Sequence, residues 1–174
     1  MKTGTFTATA IVNVSPIEWG HFLLVAELES ALKQRLTFET IRLGIETINL
    51  FQNPHMRLMF NSLLGKISNC SCNRNSYGHF KQNSAWASVN HFHYHCICYP
   101  AELILDNISL EPFHKDIKLI SSSYPLRALV IEIKPEESEI NEKSKILEKI
   151  INVLYDMDIA HNVVITRSKE NMTR

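Results

Sequence analysis

Neither sign of charge prevails in these 174 residues: Lys and Arg number 18, Asp and Glu number 18, and the formal net charge is zero. Proteins that hold duplex nucleic acid by its phosphates carry a basic excess, so nucleic acid is not an expected partner. A small phosphate-bearing ligand stays open, because local geometry can bind one without a basic surface. No apolar run approaches the ~20 residues needed to cross a bilayer. The opening "MKTGTFTATAIVNVSP" also lacks the compact apolar block of a secretory leader. No membrane partner is expected, and the reducing cytoplasm is the expected compartment. Cysteine is scarce: four residues, Cys70, Cys72, Cys96 and Cys98, make no convincing disulfide framework.

The chain has enough apolar residues, 45%, for a real core, and its 21% charge is not that of a disordered segment. Residues 10–14 and 21–26 read as short strands around a turn at Ser15-Pro16. From Thr37, the residues Phe38, Ile41, Ile45, Ile48 and Phe51 recur at steps of three and four, one face of a helix ending before Pro54. Residues 56–63, 86–99, 127–133 and 161–167 read as strands. A second helix is expected near 142–157, its buried stripe made of Ile146, Ile150, Val153, Leu154 and Met157. Residues 64–84 are rich in Asn and Ser and aperiodic, and read as an irregular insertion. The order implies an α+β fold with a mostly antiparallel sheet and packed helices, one domain over 1–174. Trp19 and His21 are expected to pack together at a strand start.

The stretch "HFHYHCIC" at 91–98 carries the chemistry. On a strand, successive side chains face opposite ways and same-face neighbours lie roughly 6.5–7 Å apart. His91, His93 and His95 would then share one face, and Phe92, Tyr94, Cys96 and Cys98 the buried other. A mixed His/Cys metal site on this strand alone would need both faces, so the cysteines read as small core residues. Three readings of the histidine face remain open. Two histidines could share a zinc with a third ligand from His21, His79, His114 or His161. One imidazole could attack phosphorus while its neighbours handle charge and protons. Or the face could be the polar side of an edge strand.

"HFHYHCI" fits the alternating pattern of the histidine-triad superfamily. With "IVNVSPIEWGHFLLV" at 11–25, "FNSL" at 60–63, "AWASVNHFHYH" at 85–95 and "AHNVVITR" at 160–167, it resembles, in order, the GDP-hexose phosphorylases. These belong to the galactose-1-phosphate uridylyltransferase branch of that superfamily. The resemblance implies a histidine-triad-like fold and the reaction of a GDP-hexose with inorganic phosphate to give GDP and hexose 1-phosphate. It makes His93 the nucleophile that carries GMP. The His91 carbonyl would hold the far nitrogen of the His93 ring, and His95 would reach the phosphate or leaving oxygen. Asn61, Ser62, Ser88, Asn90, His161, Asn162 and Arg167 fall in the blocks that contact phosphate or nucleotide. The scheme uses no metal and no cofactor, and a homodimer is the assembly the superfamily implies.

Members of that family are longer on both sides, so the chain reads as a shortened member, with residues from about 127 beginning a truncated second half. The 64–84 segment has no counterpart in them and reads as translated intron or as an insertion private to this lineage. The alternative functions are a guanine-nucleotide-binding or oligomerisation module without turnover, and a His-ligated metal enzyme.

Overall fold

Thr37 and Thr40 start the first helix by exchanging bonds. The Thr37 N–H donates to Thr40 Oγ1 at 2.8 Å and the Thr40 N–H to Thr37 Oγ1 at 3.4 Å, which occupies donors that the first helical turn leaves bare. The helix, α1, runs over Phe38–Leu50, and Ile41, Ile45 and Ile48 are buried as their spacing requires. This is a computed structural model, and it describes residues 2–3, 6–63, 90–122, 124–168 and 173–174.

The buried face of α1 meets an antiparallel sheet. Its strands are β1 (Lys2–Thr3), β2 (Phe6–Val12), β3 (Phe22–Ala26), β4 (Met56–Asn61), β5 (His93–Cys98) and β9 (Asn162–Ile165), in the order β1-β2-β3-β5-β4-β9. Residues paired across antiparallel strands share a face. The pairs Leu24–Tyr94, Leu58–Cys96, Phe60–Val163 and Leu58–Ile165 therefore build one apolar surface under the helix. Phe60, Phe92 and Tyr94 form its aromatic centre, with ring centroids 5.1–6.2 Å apart. The other face carries Leu23, Val25, Met59, His93 and His95. Farther along that face, Arg57 is buried in an ion pair with Asp106 at 2.8 Å.

A second, three-stranded antiparallel sheet follows: β6 (Leu110–His114), β7 (Ile117–Ile120) and β8 (Leu129–Ile131). The second helix, α2 (Glu137–Asp156), packs on α1 and ties to the β6–β7 turn through the buried Lys143, whose ammonium meets Asp116. Ile131, Ile133, Ile140 and Ile151 join the same buried cluster as the large sheet. Among the described residues no helix is long and apolar enough to cross a membrane.

The α+β class and antiparallel pairing agree with the sequence, and several boundaries do not. The 10–14 strand is the end of β2, which begins at Phe6. The 86–99 strand is shorter, since β5 starts at His93, and its 86–89 part lies outside the described residues, as do 64–84 with Cys70 and Cys72. Helix α2 begins before 142, and its buried positions are Ile140, Lys143, Ser144 and Ile151. Val153 and Met157, assigned to the buried stripe, are 54% and 65% exposed.

Helix and sheet come close together at Gly44. A Cβ there would lie 2.5 Å from Ile165 Cδ1 and 2.9 Å from the Tyr94 hydroxyl, which itself donates to the Thr40 carbonyl at 2.9 Å. Gly44→Ala should therefore destabilise the fold by about 1–3 kcal/mol, against the usual gain of alanine over glycine in a helix. A denaturant midpoint equal to or above that of the parent would contradict this packing.

Candidate functional site

Two adjacent residues of one face, His93 and His95, sit at the start of β5, with ring centroids 5.0 Å apart. His93 is 4% exposed, and Val25 is its cross-strand neighbour; His95 lies between Leu23 and Met59. His91 precedes the strand in a bend, so the three histidines do not form one strand face; what His91 gives His93 is its carbonyl oxygen, 2.7 Å from His93 Nδ1. The Nε2 of His91 is buried, and among the described residues no group pairs with it.

Main-chain groups with a single hydrogen-bonding role fix which nitrogen of each ring bears the proton. A carbonyl only accepts, so the neutral form of His93 carries its proton on Nδ1 and has its lone pair on Nε2. An amide N–H only donates, and that of Ile17 points at His21 Nδ1 at 3.0 Å, so the His21 proton is on Nε2. That nitrogen lies 3.0 Å from His95 Nδ1, which must accept, so His95 carries its own proton on Nε2. Asn13 Nδ2 also approaches His21 Nε2, at 3.1 Å, while Asn13 Oδ1 takes the Ser15 N–H. Both approaching groups are donors, but the Asn13 amide also lies 3.5 Å from Nδ1 and can share that acceptor, whereas the Ile17 N–H reaches Nδ1 alone, so the Ile17 contact assigns the tautomer. A bare lone pair and a neutral N–H donor thus stand on neighbouring rings.

His21 was read from sequence as a packing residue with Trp19, and the structure separates the two. His21 is buried at 3% exposure against His95, while Trp19 is 89% exposed on the rim of the β2–β3 loop. The parity signal was present, since His21 lies two residues before Leu23, the partner of His95. An open depression of about 530 Å³ borders His21, lined by Val12, Asn13, Ile17, Trp19 and Phe22 among others. Gln34, which the sequence reading does not single out, accepts the His93 N–H at 2.9 Å.

The other expected site residues divide. Asn61 ends β4 at the histidine end of the sheet, and Asn162 is its partner on β9. Ser62, fully buried, exchanges bonds with the main chain of His161: Ser62 N–H to the His161 carbonyl at 3.3 Å, and His161 N–H to Ser62 Oγ at 3.4 Å. The His161 ring packs edge-on to Tyr155, and its Nδ1 lies 2.9 Å from the Ile159 carbonyl. Asn90 accepts the Gln34 N–H on its Oδ1 at 3.1 Å. Arg167 is not brought to the histidines. It lies beyond Ile165, toward the far end of the sheet, and donates to the Asn49 carbonyl in the last turn of α1 at 2.8 Å. Ser88 lies outside the described residues, as does His79. Among the described residues no group of three or more His, Cys, Asp or Glu side chains could hold a metal ion.

A family model described as "GDPGP1-like, N-terminal domain" matches residues 3–77. GDP-D-glucose phosphorylase 1 of Danio rerio is 33% identical over 168 residues, 91% of this chain and 40% of its own length. The protein of the same name in Homo sapiens is 30% identical over 90% of this chain and 36% of its own length. GDP-L-galactose phosphorylase 2 of Arabidopsis thaliana is 26% identical over 70% of this chain and 24% of its own length. The chain thus spans well under half the length of these relatives. No solved structure matches it.

Burial first, and then the neighbouring His93 and His21, hold the His95 imidazole down to about 4; burial lowers His21 and His161 as well. The unfolded His95 takes up a proton near 6.5 and the folded one resists until about 4. Across that window the unfolded state binds more protons, so stability falls as the pH drops through it and is unaffected above it. Denaturant midpoints should show a loss on the order of 1–2 kcal/mol from His95, after allowance for the solvent that still reaches its ring. His95→Gln should flatten that slope, leaving the smaller part due to His21 and His161. An unchanged slope would place the acid sensitivity elsewhere.

Proposed function

We propose, for a chain that aligns over about 90% of its length with GDP-D-glucose phosphorylases and over 70% with a GDP-L-galactose phosphorylase, that its histidine site transfers GMP from a GDP-hexose to inorganic phosphate. The observation that carries this reading is the set of ring contacts on two histidines whose centroids lie 5.0 Å apart, which assign a lone pair to Nε2 of neutral His93 and an N–H to Nε2 of His95. Attack on phosphorus needs an uncharged nitrogen nucleophile, and departure of a phosphate ester is helped by a donor that does not first have to be charged.

In this reading residues 1–174 act as one histidine-triad-like domain. The nucleotide enters over the depression beside His21, and the phosphates lie toward His91, His95 and the strand ends at Asn61–Ser62 and His161–Asn162. His93 Nε2 attacks the phosphorus next to guanosine; an N–P bond forms, and the P–O bond to the hexose 1-phosphate breaks. The His95 N–H stabilises the leaving oxygen. An oxygen of inorganic phosphate then attacks the same phosphorus, the N–P bond breaks, and GDP leaves with His93 restored. Splitting one displacement into two gives ping-pong kinetics. The buried Nε2 of His91, which no group among the described residues meets, supports a polar occupant at this place. Arg167, with its guanidinium on a helix carbonyl, takes no part.

The test is to mix the protein with GDP-glucose, withhold phosphate, and digest for mass spectrometry. GMP should be found on His93 and released as GDP when phosphate is added, and His93→Ala should abolish the adduct. Turnover without an adduct would overturn the covalent route. Binding of GDP-glucose with neither adduct nor turnover would leave a nucleotide-binding module instead.

A further inference from the structure

The ladder between β4 and β5 ends before its strands do. Its last pair is Met59–His95, although β4 runs on to Asn61 and β5 begins at His93. The main-chain groups left over are not bare, because the side-chain amide of Gln34, 2% exposed, fills the place of the missing rung. Its Oε1 accepts the His93 N–H at 2.9 Å, and its Nε2 donates to the carbonyls of His93 at 3.3 Å and Asn61 at 3.1 Å. The segment that carries it also grips the residues ahead of β5. The Leu32 carbonyl accepts the Phe92 N–H at 2.7 Å, and the Gln34 N–H donates to Asn90 Oδ1 at 3.1 Å. From the other side the Tyr155 hydroxyl donates to the Gln34 carbonyl at 3.3 Å.

We propose that Gln34 is the positioning residue of the site, holding the main chain of His93 so that the His91 carbonyl meets its Nδ1 and the lone pair is kept on Nε2. This rests on the reading of His93 as the nucleophile. The argument is geometric. His93 is the first residue of β5 and pairs with Val25, but His91 lies ahead of the strand in a bend, so the ladder alone does not fix the distance between that carbonyl and that ring. The contacts from Leu32 and Gln34 do, and of these only the Gln34 amide grips both main-chain groups of His93. An amide is required, since the position needs one acceptor and two donated hydrogens together. A carboxylate of the same shape could take the His93 N–H but would face two carbonyl oxygens, and a leucine would leave all three groups unmet. Asn90, expected from sequence to touch phosphate, spends its side-chain oxygen on this clamp.

The experiment reads the tautomers directly, by long-range proton–nitrogen correlation of the full chain labelled with ¹⁵N-histidine, without substrate. In the parent, His93 should show one tautomer, protonated on Nδ1. Gln34→Leu and the isosteric Gln34→Glu should both turn His93 into a mixture, while His95, set independently by Ile17 and His21, keeps its proton on Nε2. In parallel, GMP transfer from GDP-glucose should slow about 100-fold, the scale of a ~1 Å misplacement, with KM little changed. His93 unchanged in either folded variant overturns the proposal. Loss of the His95 tautomer in both variants also overturns it, since Gln34 would then be a residue of the fold alone. The tautomer of His93 is visible whether or not the chain turns over GDP-glucose, so failure of the phosphorylase reading would appear separately, as no GMP transfer by the parent.

Discussion

A carbonyl oxygen can only accept a hydrogen bond, and that of His91 stands 2.7 Å from the ring of His93. Much of the molecule can be understood as the means of keeping that distance. The strand pairs Val25–His93 and Leu23–His95 on one side and Met59–His95 on the other fix where β5 begins. Below the strand, Phe92, Tyr94 and Cys96 are fully buried in the surface that α1 covers, which stops β5 from rotating or slipping by a residue. A slip of one would send the histidines into the aromatic core and the aromatics to the site.

The two faces of β5 therefore answer to different constraints. On the helix side the requirement is volume: Gly44 admits Tyr94 and Ile165 where a methyl group would not fit, and the Tyr94 hydroxyl is satisfied by a helix carbonyl. Burial pushes the Tyr94 hydroxyl upward and the Cys96 thiol up to about 12, so neither ionises near neutrality and both behave as packing groups. On the histidine side the requirement is direction. The rings there are polar, close and partly desolvated, and what matters is which nitrogen each presents.

Much of the scaffold could be read from the sequence. Helix α1 announces itself by period and by the threonines at its start, and β4 and β9 by compact apolar runs bounded by polar residues. β8 falls within the strand expected at 127–133, but β6 and β7 were harder to see because both are short, neither is fully buried, and Pro112 interrupts the first of them. The start of α2 was hidden for a related reason. Its buried side includes Lys143 and Ser144, polar residues that periodicity does not count, so apolar spacing drew attention to Val153 and Met157 on the wet side. At the site, alternation correctly put His93 and His95 opposite the aromatics, but it carried the strand back past its start at His93 and so misplaced His91. His21 and Gln34 arrive from distant segments, and only the folded register shows what they touch.

The β2–β3 loop joins two properties that are usually separate. It displays Val14, Ile17 and Trp19 to solvent, and it turns back at Gly20, whose φ of +76° is costly for any other residue. The same loop supplies the Ile17 N–H that decides where the His21 proton resides, and through it the His95 proton. The rim that meets solvent and the donor that orients two buried rings are thus parts of one short turn, so a substitution that displaced the loop would also remove the Ile17 donor from His21 Nδ1 and, with it, the constraint that leaves His95 Nδ1 to accept.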